Sequence, residues 1–281
     1  MTGGDRPLAG AAPGPGEALY LYCLARAATL PALDGPGVDG AHPLDLVPCR
    51  DVAAVVSAVR LDEFCGPSAE ARMRDLAWVG PRAWRHEEVI ERAMLASPVV
   101  PARFATLFSS RGRLAAWLAA HHDAIARALD RFADHEEWAV KGTLDRRQAE
   151  ARLVAAALGP RDGAPAAAPG ARYLEERRIR ERVRQEVGAW LREVGAGIAA
   201  ALRDHVTDLR EREIGAGGVL EGGDTRVLNW ACLVPQEGLE DLRARIQRLN
   251  AGHAEDGLVL ELSGPWPPYS FCPSLDPQAP A

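Results

Sequence analysis

Two rhythms of apolar residues run along this chain. The first ordered segment, EALYLYCLA (Glu17 to Ala25), is apolar on both of its alternating faces, as in a strand covered on two sides. A Pro/Gly-rich loop, Pro31 to Pro43, follows; β-branched residues then predict two short strands near 44–49 and 52–59. Ser68 to Val79 reads as a helix with Ser68 as its N-cap. Gly80-Pro81 interrupts it, and Pro81 suits the first turn of a second helix that carries Trp84, Ile90 and Met94 on roughly one face. PVVPARFATLF, Pro98 to Phe108, reads as a strand or extended segment. These elements predict an N-terminal α+β domain over residues 17–109, of β-β-β-α-α-β order.

The rhythm then becomes helical. Leu114, Trp117, Leu118, Ile125, Leu129 and Phe132 fall on helical spacing. EEWAVKGTL, Glu136 to Leu144, sets Trp138, Val140 and Gly142 against Glu137, Ala139 and Lys141, a half-buried strand. A helix from Asp145 to Leu158 follows, with Asp145 as its cap. GPRDGAPAAAPG, 159–170, is a loop without periodicity. The longest pattern runs from Arg172 to Glu213, a helix of about 40 residues and roughly 60 Å if unbroken. Gly195 and Gly197 lie where it could bend or admit another backbone, and its charged outer face reads as solvated. After a flexible loop, Gly215 to Asp224, the pattern predicts a two-sided apolar strand over Thr225 to Pro235, a helix over Glu237 to Leu249 and a last strand over Gly257 to Gly264. Strands alternating with helices suggest an α+β sandwich of ferredoxin-like type with a long helix, placed at residues 110–272.

Composition narrows the function classes. Of the 281 residues 47% are hydrophobic and 26% charged, a globular balance, and the net charge of -6 argues against a dedicated nucleic-acid binder. Lys141 is the only lysine; with so much Ala, Gly and Pro, the arginine excess reads as a GC-rich genome, not a phosphate-binding design. Five cysteines, none in C-x-x-C spacing, point to a reducing cytoplasm, and Cys23 and Cys232 read as small core hydrophobes. No run has the length of a membrane span or the apolar core of a signal peptide. Residues 1–16 and 273–281 read as disordered ends.

No catalytic constellation emerges. HEEVIE at His86 lacks a second histidine four residues on, and adjacent helical positions keep His121 and His122 from sharing a metal. The glycine-rich loop 215–223 lacks the lysine of a P-loop, and G-x-S-x-G is absent. Arg103, amid apolar residues, reads as half of a structural ion pair or as a partner-binding residue. Lys141 reads as exposed. In LELSGPWPPYSF, Leu260 to Phe271, the prolines should end the sheet ladder near Gly264, and Trp266, Tyr269 and Phe271 should fold back over the domain, with the Trp266 ring buried.

LSGPWPPYSF resembles the C-terminal signature of the gas vesicle accessory protein family GvpL/GvpF. LYLYCLA, WRHEEVIERAM, SPVVPARFATLF, EEWAVKGTL and GARYLEERR are similar to the family's motifs in the same order, from about Leu19 to Phe271. One departure is Ala105, where the family tends to have glycine. The resemblance implies a non-enzymatic, cytoplasmic and gas-vesicle-associated assembly factor or minor vesicle component. It implies two domains, the second of modified ferredoxin-like fold, and partners among the small hydrophobic shell protein and other accessory proteins, with no nucleic acid, lipid membrane, cofactor or metal. The candidate partner-binding or fold-closing residues are Arg103, Phe104, Lys141, Trp266, Tyr269 and Phe271. The alternative is a nucleotide- or small-ligand-binding enzyme or sensor.

Overall fold

The computed structural model describes residues 13–158, 169–214 and 224–275, and side chains of the long helix from Arg177 onward. The expectations for the outermost ends and for the loops 159–168 and 215–223 lie outside the described residues. Two compact units emerge: Met1–His135 with Trp266–Ala281, and Glu136–Pro265.

In the first unit, β1 (Glu17–Arg26), β2 (Leu44–Cys49), β3 (Val52–Arg60) and β4 (Val99–Pro101) form a sheet of order β2-β3-β1-β4, and β5 (Leu107–Phe108) also pairs with β1. All of these pairings are antiparallel. A register shift between Leu21 and Cys23 turns Tyr22 and Cys23 to one side, into a core shared with Tyr20 and Ala25. Four helices complete this part of the chain: α1 (Leu61–Phe64), α2 (Ala69–Arg74), α3 (Leu76–Met94) and α4 (Arg111–Phe132). α3 buries His86, Val89, Ile90 and Ala93, while α4 packs along β1 to β5.

Several expectations are corrected here. Ser68 makes no side-chain cap bond; the break falls at Asp75, whose carboxylate accepts from the Ala77 N–H at 2.9 Å and starts α3. Pro81 lies inside that helix, not at its start. Trp84 does not share a face with Ile90: six steps of about 100° put the two roughly 120° apart, and Trp84 is 69% exposed. α4, capped by Ser110, belongs to the first unit, as does the C-terminal segment, so neither sits in a domain beginning at residue 110. Its apolar stripe (Leu114, Leu118, Ile125, Leu129) is fully buried; sequence order alone does not say which sheet such a stripe covers.

The second unit is built from β6 (His135–Leu144), α5 (Arg146–Leu158), α6 (Pro169–Arg203), β7 (Asp208–Glu211), β8 (Thr225–Pro235), α7 (Leu239–His253) and β9 (Leu258–Trp266). The strand order is β7-β8-β6-β9. Asp145 caps α5 as expected, accepting from the Arg147 and Gln148 N–H groups. The long helix ends at Arg203, about 52 Å from its start, and the residues assigned to its last turns form β7, antiparallel to β8. Val206 and Leu209 suit either period, and the neighbouring strand decides between them. Leu228 fits between two glycines: a Cβ at Gly142 would meet its side chain at 2.8 Å and one at Gly195 at 3.0 Å. Gly195 thus admits a side chain rather than another backbone.

β9 runs on to Trp266, past the expected end at Gly264. Gly264 has φ 150°, and a Cβ there would lie 3.0 Å from the Trp138 ring and the Glu137 carbonyl, so only glycine fits. Trp266 itself is 42% exposed, which overturns its expected burial.

Candidate functional site

β1, α3 and the C-terminal segment of the first unit hold a buried polar chain. His86 is 1% exposed. Its Nε2 faces the Ala102 carbonyl at 3.2 Å, an acceptor only, so that nitrogen carries the proton; the Tyr269 hydroxyl lies at the same distance. Nδ1 then accepts from the Tyr20 hydroxyl at 3.0 Å. Tyr20 accepts in turn from the Ala105 N–H at 3.1 Å, and Tyr269 donates to Glu87 Oε1 at 2.8 Å. Burial pushes His86 down to about 4, so it is neutral at pH 7. Burial also raises the Tyr20 and Tyr269 hydroxyls, the Glu87 carboxylate adding to the second, and Glu87 is itself raised by burial.

The backbone bends to serve this chain. Ala105 has φ 64°, the left-handed region, so alanine occupies the unusual angle despite lacking glycine's freedom. The bend presents its N–H to Tyr20 and lets Phe104 pack against Tyr20, Phe64 and His86. Beside it the Tyr22 hydroxyl meets Ser57 Oγ at 2.8 Å and accepts from the Val38 N–H.

Of the sequence candidates, Phe104, Tyr269 and Phe271 are brought into the first unit: Phe271 is buried, and Tyr269 joins the His86 chain. Arg103 is exposed and has no ion pair among the described residues, against the structural-pair reading. Lys141 lies in the second unit, half-buried rather than exposed. His121 and His122 turn to different partners, the Trp117 carbonyl and Asp51. Arg212, with the fully buried Glu137 at 3.0 Å, makes an ion pair in the second unit that no local pattern announces.

What sequence reasoning missed is the outer face of α3. Leu76 (84% exposed), Trp84 and Leu95 (89%) are large apolar residues open to solvent. At about 100° per residue they fall within an arc of roughly 100°, opposite His86, Val89 and Ala93, with exposed Ala77, Gly80, Glu88 and Glu91 among them. The signal was present as spacing, but it required starting the helix at Asp75.

The fold and the site define an α+β protein that encloses polar groups in its first unit and presents apolar ones on that unit's surface. The chain belongs to the gas vesicle synthesis protein GvpL/GvpF family, whose model matches residues 18–273. It is 32% identical to gas vesicle protein L of Streptomyces sp. (strain CB03234), over 90% of this chain and 91% of that protein. It is 27% identical to gas vesicle protein F of the same strain, over 90% and 98%. Among solved structures, GvpF from Anabaena sp. PCC7120 superimposes with a TM-score of 0.66 at 14% identity, covering 92% of this chain and 98% of that one. GvpF from Microcystis aeruginosa gives 0.62 at 15%, covering 91% and 99%. Membership supports an accessory role in gas vesicles. No described helix is long and apolar enough to cross a membrane.

Proposed function

We propose that this protein is a non-enzymatic assembly factor for gas vesicles in the cytoplasm that holds the small hydrophobic shell protein, and other accessory proteins, through the outer face of α3. The observation that carries the reading is the exposure of Leu76 and Trp84 along one arc of α3 and of Leu95 at its C-cap. Spaced about 12 and 16 Å apart along the axis, they stand as three separate apolar anchors with Glu88 and Glu91 among them. Covering the apolar surface of a shell subunit draws it away from self-association by mass action, and release at the growing wall delivers it. The second unit serves as the scaffold, with a modified ferredoxin-like fold; its element order and the strand order β7-β8-β6-β9 support that reading.

The test is co-purification of the shell subunit with the full chain. The triple substitution Leu76→Ser, Trp84→Ser, Leu95→Ser should abolish recovery while leaving the melting temperature near that of the parent. The pair His121→Ala, His122→Ala should leave recovery intact. Undiminished recovery by a folded triple variant sinks the assignment of the α3 face.

A further inference from the structure

The first unit contains a cavity of about 540 Å³, walled by Leu21, Leu24, Val100 and Trp117, with Tyr269 and Arg103 at its sides. Small-molecule sites occupy roughly 300–1,000 Å³ and are mostly apolar with a few placed polar groups. Arg103 is the only charged residue among the described residues of the wall. Arg103 is exposed and pairs with no carboxylate among the described residues. Most other polar groups of the wall are engaged. Tyr269 donates to Glu87, Thr106 Oγ1 donates to the Arg103 carbonyl at 2.7 Å, and Cys272 Sγ lies 3.2 Å from the Pro268 carbonyl.

A ligand entering here meets a wall more apolar than polar and one cation that is unpaired among the described residues. Charge complementarity therefore asks for an aliphatic body with a single anionic end. An added β-strand fits poorly: Pro101 at the end of β4 has no N–H to offer, and its carbonyl already faces Cys272 Sγ. We propose that this cavity binds a medium-chain aliphatic carboxylate, with its chain along the apolar wall and its carboxylate on the Arg103 guanidinium. The site is separate from the α3 face and does not depend on the shell-binding reading.

Isothermal titration of the full chain with dodecanoate, below its micellar concentration, tests this. One molecule should bind per chain, with dodecanol and dodecylammonium binding more weakly. Arg103→Gln should weaken dodecanoate about tenfold, the scale of one charge-assisted hydrogen bond, and leave dodecanol unchanged. Thr106→Trp, placed on the cavity wall, should weaken both, with circular dichroism confirming that each variant is folded. The proposal is overturned if the parent protein binds no dodecanoate, if dodecylammonium binds as tightly, or if the folded Arg103→Gln variant binds dodecanoate like the parent. Binding of a leucine-rich peptide carboxylate in place of dodecanoate also overturns it, in favour of a protein tail.

Discussion

At the centre of the first unit stand two hydrogen-bonded pairs, His86 with Tyr20 and Ser57 with Tyr22; at the centre of the second stand Val140, Leu202, Leu228, Trp230 and Leu242, with Glu137 the buried charge among its described residues. The surfaces are reversed. Leu61, Leu76, Trp84, Leu95 and Trp266 are exposed in the first unit, Ile214 and Val259 in the second, where the outer face of α6 is arginine and glutamate. Hydrogen bonds inside a core are directional and fix one arrangement, whereas apolar contact is not. On the proposed function, the first unit's directional core holds its displayed apolar side chains in place, while the second unit rests on burial.

If that contrast is right, truncating an apolar side chain should do most damage in the second unit. Leu242→Ala removes a fully buried side chain of α7 from that core and should lower stability by about 2–5 kcal/mol, read from urea unfolding. The loss should be the same at pH 7 and pH 5. A pH-dependent loss would mean that the second core also rests on titrating groups.

The first unit should respond to acid through His86. Its value falls from the usual 6.5 to about 4 in the fold, so its contribution is fully present above pH 6.5 and is lost as pH drops towards 4. At 1.36 kcal/mol per unit the change comes to about 3 kcal/mol. Glu87, raised by burial, acts in the opposite sense: its protonation in acid favours the folded form and offsets part of the loss. Unfolding free energies of the parent and His86→Gln, measured from pH 7.5 to 4, should converge by about that amount. A constant difference across the range would mean that His86 is not held neutral.

The smallest effect concerns Ala105. Its left-handed backbone strains a residue with a Cβ, so Ala105→Gly should stabilise the protein by about 1 kcal/mol. Destabilisation instead would show that the methyl group's packing among Tyr20, Phe64 and their neighbours outweighs the strain.

Much of this architecture was legible in the chain because it is locally encoded. The two-sided runs of β1 and β8, the stripe of α4 and the cap at Asp145 are set by side-chain period and by hydrogen bonds within a few residues. The family signature, too, is linear. Other features were decided by partners distant in sequence. β7 exists because β8 offers it a ladder, and α4 and the C-terminal segment join the first unit because their apolar faces are buried there. His86 meets Tyr20 across 66 positions and Tyr269 across 183, and no spacing rule spans such separations. The same holds for Trp266, Arg103 and Lys141, whose burial and pairing depend on which surfaces the folded chain brings beside them. Periodicity states which side of an element is apolar; what covers that side, and which polar groups meet within it, is settled only when the elements pack.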